Sequence, residues 1–283
     1  MLKRILKSNI FKNFSYLSLA EIISKGIGFF VMAYVARVLG PENFGKLGFA
    51  QACVSYFGLI VNLGLDVHGA REIAKERNKA KEILSNIVSM KVFLFCLAYV
   101  ILFISVSLLP KDNYTKKVIL FYGLTLLISI FTIDWFFQGF ENFKLIAVGR
   151  IISSVVYASL VFAFIKYPNQ LFELIGFQVV SGLLGTIVLW FFVLRFFSFK
   201  EVIFQKWKQL AKTGIILASS FFMISIYYNL DKVMIGLWFP DKYVGWYDAA
   251  YNIMLPLIQT DLGIFLFLNL LVFCSILQYW VSQ

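Results

Sequence analysis

Apolar stretches of about 20 residues recur along this chain, and each is long enough to cross a ~30 Å hydrocarbon layer as an α-helix. A single soluble core is excluded by composition: of 283 residues, 60% are hydrophobic and 14% charged, whereas soluble domains run near ~45–50% and ~25%. The chain therefore reads as all-α, a polytopic membrane protein with about 8 transmembrane helices. Their expected ranges are 14–38, 45–66, 88–109, 117–138, 145–166, 171–194, 211–238 and a last stretch from about 244 to 281. That last stretch is too long for one ordinary span and is interrupted by Pro256 and Asp261. It reads as one tilted or broken helix, or as two short re-entrant pieces.

The net charge of +11 would point to nucleic acid in a soluble chain. Here its distribution has another use. Sorting Lys and Arg among alternate loops puts seventeen on the side of the N-terminus and seven on the other, which predicts a cytoplasmic N-terminus by the positive-inside rule and needs no nucleic-acid partner. The basic start is followed by Glu21 and Lys25 with no small-residue cleavage site, so the first span reads as retained and not as a signal peptide. Cys53, Cys96 and Cys274 all fall within apolar runs and read as isolated thiols.

Between the second and third spans, Ala70 to Met90 carries Ile73, Ala74, Ala80, Ile83, Leu84 and Ile87 at three- and four-residue spacing among charges. This pattern predicts an amphipathic helix on the inner leaflet, or a solvated charged helix.

The ends of the first and seventh spans resemble each other. Pro41-Glu42-Asn43-Phe44-Gly45 leads into Leu47, Phe49, Ala50 and Ala52, and Pro240-Asp241-Lys242-Tyr243-Val244-Gly245 leads into Trp246, Tyr247, Ala249 and Ala250. The offset of about 200 residues contains six spans, so both copies would enter the membrane in the same orientation, as in transporters built from two parallel bundles. On this reading residues 1–200 form an amino-terminal six-helix lobe. Residues 207–283 then form an incomplete second lobe of two spans, with an atypical tail from about 260.

Four motifs carry a resemblance. Ala36-Arg37-Val38-Leu39-Gly40-Pro41-Glu42-Asn43-Phe44-Gly45 comes first, then Gly64-Leu65-Asp66 with Gly69-Ala70-Arg71-Glu72. Asp134-Trp135-Phe136-Phe137-Gln138-Gly139-Phe140-Glu141 follows, and last come Asp231-Lys232, Gly236 and Val244-Gly245-Trp246-Tyr247-Asp248-Ala249-Ala250-Tyr251. In this order they resemble the polysaccharide transporters, the O-antigen and lipid-linked oligosaccharide flippases of the superfamily that also contains the MATE multidrug exporters. The resemblance covers residues 14 to about 259, and the departure after Gln259 reads as a truncated or frame-shifted end. It implies a MATE-like lobe and a bacterial inner-membrane flippase. Its substrate would be an undecaprenyl-pyrophosphate-linked oligosaccharide, carried from the cytoplasmic to the periplasmic leaflet by ion-coupled alternating access. Implied partners are that substrate, membrane lipids, and polysaccharide polymerase and chain-length proteins.

Ionisable groups inside spans are costly and mark functional candidates. Glu21 and Lys25, four residues apart on the first span, can pair on one helical face. Such a pair can line a cavity or gate, or pack structurally against a neighbouring helix, while Ala20, Ser24 and Gly28 form a small-residue stripe for close helix packing. Asp134 at the end of the fourth span, and Asp231 with Lys232 on the seventh, can take part in ion coupling or substrate contact. For Asp134 the alternative is an interfacial acid that fixes the helix end. Arg37, Arg71 and Arg150 can offer guanidinium groups to a pyrophosphate or an acidic sugar, with Arg71 and Arg150 reading better as positive-inside anchors. The single histidine, His68, has no Cys, His or Asp cluster around it, so no metal site is expected. No nucleotide-binding glycine loop or nucleophile elbow occurs, so neither cofactor nor catalytic residue is expected and the chain does not read as an enzyme. The alternatives to a flippase are a small-molecule or multidrug exporter of the same superfamily and a non-functional remnant. A membrane polymerase or glycosyltransferase is disfavoured, because no loop reaches 30 residues.

Overall fold

The structure, a computed structural model, describes residues 9–197, 201–252 and 254. Among these residues all regular structure is helical. Helix α1, Asn9–Asn62, is two spans in one, because Gly40 interrupts it at φ 70, ψ 170. That conformation is strained for any residue with a Cβ, and Pro41 then restarts the helix without needing an N–H partner. The two arms fold back on each other, so that Leu17 and Leu63 pack on one and the same apolar cluster.

Gly64, at φ 69, turns the chain into the short helix α2, Leu65–Lys75, and a 3₁₀ turn at Arg77–Lys79 leads into α3, Ala80–Leu108. The next crossing is interrupted: α4, Asn113–Tyr122; a 3₁₀ turn at Gly123–Thr125; α5, Leu126–Phe131; and α6, Asp134–Gly139. Then come α7, Phe143–Phe164, α8, Leu171–Val193, and the long α9, Phe204–Trp238. Residues 241–252 are helical again and are called α10. Six helical stretches are long and apolar enough to cross a membrane, the first of them including both arms of α1. The atypical tail from about 260, Pro256, Asp261, Cys274 and the basic residues Lys3, Arg4 and Lys7 lie outside the described residues.

Contacts between loops sort the turns onto two faces. On the Pro41 face, the Asn43 amide donates to the Pro168 carbonyl at 2.8 Å and Lys111 pairs with Asp241 at 2.7 Å. On the opposite, basic face, Lys81 pairs with Glu201 at 3.3 Å, and the Asn86 amide donates to the Glu201 carbonyl at 2.9 Å. The crossings thus alternate as the apolar stretches predict.

Two apolar cores stack along this axis. One, nearer the Pro41 face, contains Val35, Phe49, Leu102, Ile119, Ile165 and Leu171; the other, at the basic face, contains Leu65, Ile73, Leu84, Ile87, Trp135 and Ile146. Large apolar side chains on the outer faces, such as Phe93, Phe103 and Ile104 of α3, stay exposed. In lipid such exposure carries no hydrophobic penalty.

Two features of the fold differ from the sequence pattern's expectation. Ala70 to Met90 is not one surface helix: the chain breaks at Glu76, and residues from Ala80 on begin the third crossing. The apolar stripe of Ile73, Ala80, Leu84 and Ile87 is buried against protein and not laid on the leaflet, because α2 folds back over the start of α3 and against α6. Lys91, counted among the basic-face charges, is no loop anchor. Its ammonium is 1% exposed and donates to Asp66 at 2.6 Å and to the Ser129 carbonyl at 3.0 Å.

Candidate functional site

Within the apolar packing between α1, α7, α8 and α10 lies a cavity of about 210 Å³ with a polar wall. Gly28 and Met32 of the first arm and Leu47 of the second contribute backbone and apolar surface, while Gln51, Tyr157, Gln178, Asp248 and Asn252 contribute polar groups. The Gln178 amide donates to the Tyr122 hydroxyl at 3.1 Å, which fixes one side of the wall. The Asn252 amide donates back to the Asp248 carbonyl at 2.8 Å, a bond inside its own helix. Side-chain amides, a phenol and a carboxylate gathered at membrane depth are expensive unless they meet one another or a polar guest.

Asp248 is also one half of a buried ion pair with Lys232. The Lys232 ammonium additionally lies 5.2 Å from the centre of the Tyr251 ring. Neighbouring Asp231 is exposed and accepts a 2.5 Å hydrogen bond from the Tyr247 hydroxyl. The structure thus separates two residues that adjacency had grouped, because successive positions on a helix point about 100° apart.

At the Pro41 end, the two related turns meet. A Cβ on Gly45 would overlap the Asp241 carbonyl, and a Cβ on Gly245 would overlap the Pro41 carbonyl. Further along, a Cβ on Gly48 would stand 3.1 Å from the Asp248 carboxylate. The approach of the two glycines is mutual, since a Cβ on each would also meet the backbone nitrogen of the other. It is flanked by Lys111 and Asp241, whose side chains are only 12% and 10% exposed.

Glu21 and Lys25 do pair, at 3.0 Å, but their side chains are 46% and 62% exposed, so no neighbouring helix buries them among the described residues. Lys25 lies three and seven residues before Gly28 and Met32, which places it on the stripe that reaches the cavity. Arg37 is exposed and seven residues after Phe30, on the stripe that faces a lateral groove beside α7. It is not brought to the polar cavity.

At the basic face, Asp66 takes Lys91 on one oxygen and the Asn62 amide, at 2.8 Å, on the other. Asp134 opens α6 and accepts from Arg150 Nε and Nη2 at 3.2 and 3.1 Å. Arg150 thus holds Asp134, while its side chain stays 39% exposed. A Cβ on Gly69 would stand 2.5 Å from the Trp135 ring, and one on Gly139 would stand 2.7 Å from Ile73. The second and third sequence motifs are thus one packed unit. His68 and Arg71 border a separate surface cleft next to Glu72 and Lys206. Among the described residues no group of His, Cys, Asp and Glu could hold a metal ion.

The polysaccharide biosynthesis protein family matches residues 10–260. The chain belongs to this family. Three relatives bear names that propose O-antigen transport. That of Escherichia coli strain K12 is 26% identical over 187 residues, 63% of this chain and 45% of the relative. That of Shigella dysenteriae is 25% identical over 235 residues, 78% of this chain and 57% of the relative, and that of Shigella flexneri 25% over 271 residues, 89% and 63%. The chain therefore spans about half to three fifths of the length of these relatives. No solved structure matches the chain.

Sequence reasoning missed Gln51, Tyr122, Tyr157 and Gln178 as a polar wall, and it missed Asp248 as the partner of Lys232. A glutamine or tyrosine inside an apolar run gives no period of its own. For Asp248 a signal did exist: it is a carboxylate about four residues into the last apolar stretch, where an unpaired charge is costly.

Proposed function

We propose that residues 1–200 form one lobe and that 207–283 begin a second, and that the protein carries an undecaprenyl-pyrophosphate-linked oligosaccharide across a bacterial inner membrane. The observation that carries this reading is the polar cavity built from both parts of the chain beneath the reciprocal Gly45–Gly245 contact. Family membership supports polysaccharide transport in general. The seventeen-to-seven charge asymmetry supports a cytoplasmic N-terminus.

In this reading the contact at the Pro41 face closes the periplasmic side, and the polar wall receives the sugar head from the cytoplasmic side while the lipid tail stays in the bilayer. Glu21 and Lys25 line the path to the wall, and Arg37 and Asp231 face outward near the periplasmic end. Asp134–Arg150 and Lys232–Asp248 are the ion pairs placed to respond to a coupling proton or cation. Such coupling gives direction only if the ion binds the two facing states unequally. The flipped unit then passes to polysaccharide polymerase and chain-length proteins.

The test is deletion of the gene in its host. The expected result is loss of surface polysaccharide with lipid-linked oligosaccharide held on the cytoplasmic leaflet, both reversed by the wild-type gene. Unchanged polysaccharide with altered drug tolerance would instead identify a small-molecule exporter.

A further inference from the structure

A second cavity, unrelated to the polar wall, opens on the side of the helix bundle at the basic face. It encloses about 860 Å³ and is lined by α3, α5, α8, the start of α9 and the residues Leu194, Phe197 and Val202 between them, a volume within the ~300–1,000 Å³ range of sites that enclose small organic molecules. Its walls are apolar and rich in rings, among them Phe131, Trp190, Phe197, Phe204 and Trp207. The two hydroxyls in the lining make no demand on a guest, since Ser89 donates to the Ser85 carbonyl at 2.7 Å and Thr186 to the Leu183 carbonyl at 2.8 Å. The Trp190 indole is likewise satisfied, by the Phe131 carbonyl at 2.8 Å. Apart from the Trp207 indole N–H, which is buried without a hydrogen-bond partner among the described residues, such a lining suits a hydrocarbon chain.

The mouth has the opposite character. The stretch 201–212 carries three basic residues and one acid, and that acid, Glu201, pairs with Lys81 while Lys206 pairs with Glu82. Lys208 and Lys212 are exposed and have no acidic partner among the described residues. Lys208 is exposed and stands one helical turn after Phe204, on the same face of α9, which puts a cation next to the apolar wall but outside its lining. An apolar recess with an uncompensated cation at the membrane–water boundary fits one chemistry, a long acyl chain bearing a negative headgroup.

We propose that this cavity binds an anionic phospholipid of the inner leaflet, with an acyl chain between α3 and α8 and the phosphate at Lys208. Val202 forms part of the cavity wall and its neighbours are fastened to α3, where the Asn86 amide donates to the Glu201 carbonyl and the Ile203 amide donates back to Asn86 at 2.8 Å. Lipid occupancy therefore holds the connection between the first six crossings and α9. The site does not depend on the identity of the transported substrate.

The test uses the full-length protein in nanodiscs of mixed phosphatidylglycerol and phosphatidylethanolamine, with retained lipid read by native mass spectrometry. The expected result is several-fold enrichment of phosphatidylglycerol. The cavity-filling pair Val92→Trp and Ile187→Trp, both on lipid-facing surfaces, removes the retained lipid. Lys208→Gln with Lys212→Gln lets phosphatidylethanolamine bind as well as phosphatidylglycerol. Equal retention of both lipids by the wild type, or retention untouched by either pair of substitutions, would overturn the proposal. So would displacement of the phospholipid by an equimolar polyprenyl pyrophosphate, which would make the cavity a substrate-tail site. Because the double-lysine variant alters only exposed side chains, it decides the matter even if the tryptophan variant fails to fold.

Discussion

Gly45 and Gly245 approach each other backbone to backbone, so that a Cβ on Gly45 would stand 2.9 Å from the Gly245 nitrogen and one on Gly245 would stand 3.1 Å from the Gly45 nitrogen. The two residues occupy the same place in the two related turns of the sequence, one opening the second arm of α1 and the other lying within the first turns of α10. Small residues at such a crossing let helices pack without lipid between them.

Gly45→Val forces the two turns apart, and overpacking of a close contact costs about 1–3 kcal/mol. The expected outcome is a lower thermal midpoint in detergent and reduced surface polysaccharide. Gly26→Val is the control, since a Cβ there meets nothing within 4 Å. Equal effects of the two substitutions would remove the special role of the Gly45 contact.

Asp248→Asn leaves the Lys232 ammonium buried without its counter-charge. Breaking a buried pair costs ~3–5 kcal/mol, so the variant should accumulate poorly in membranes. Lys232→Met combined with Asp248→Leu removes both charges and should restore the protein level, as seen on an immunoblot, without restoring polysaccharide export. Recovery of export as well would make the pair purely structural.

The Glu21–Lys25 pair is open to its surroundings, and its stripe leads to the polar cavity. With Cys53, Cys96 and Cys274 replaced by Ala, Lys25→Cys should react several-fold faster with a membrane-impermeant maleimide than Phe30→Cys. Phe30 lies on the other side of the helix, at the lateral groove, and is 67% exposed. Similar slow labelling of both would place the pair in lipid.

Asp112 caps α4 by accepting from the Thr115 amide at 3.0 Å and the Thr115 hydroxyl at 2.7 Å. Burial alone would raise its carboxyl, but these bonds, with the nearby Lys46 charge and the Tyr114 amide, hold it below the usual carboxylate value. A depressed folded-state value means stability that is present above the unfolded value, near ~3.9, and is lost as pH falls through the lower folded one. Asp112→Ala should cost about 0.5–2 kcal/mol and abolish that acid-side loss, which thermal melts between neutral pH and about pH 3 would record.

The sequence by itself determined the membrane class, the alternation of crossings and the internal relation between the Pro41 and Pro240 turns. Each rests on local quantities: the length of an apolar run, the sign of a loop, the order of residues in a turn. It also showed which ionisable groups stand inside spans. Their partners were decided only by tertiary structure, because a pair such as Lys91 and Asp66 joins different crossings and leaves no spacing rule in the chain. The glycine motifs were visible as letters, but that Gly69 lies under Trp135 and Gly45 against Gly245 depends on which helices pack together. The same reason turned Ala70 to Met90 from a surface helix into two elements. An apolar stripe shows that a face will be covered, and only the fold decides whether lipid or protein covers it.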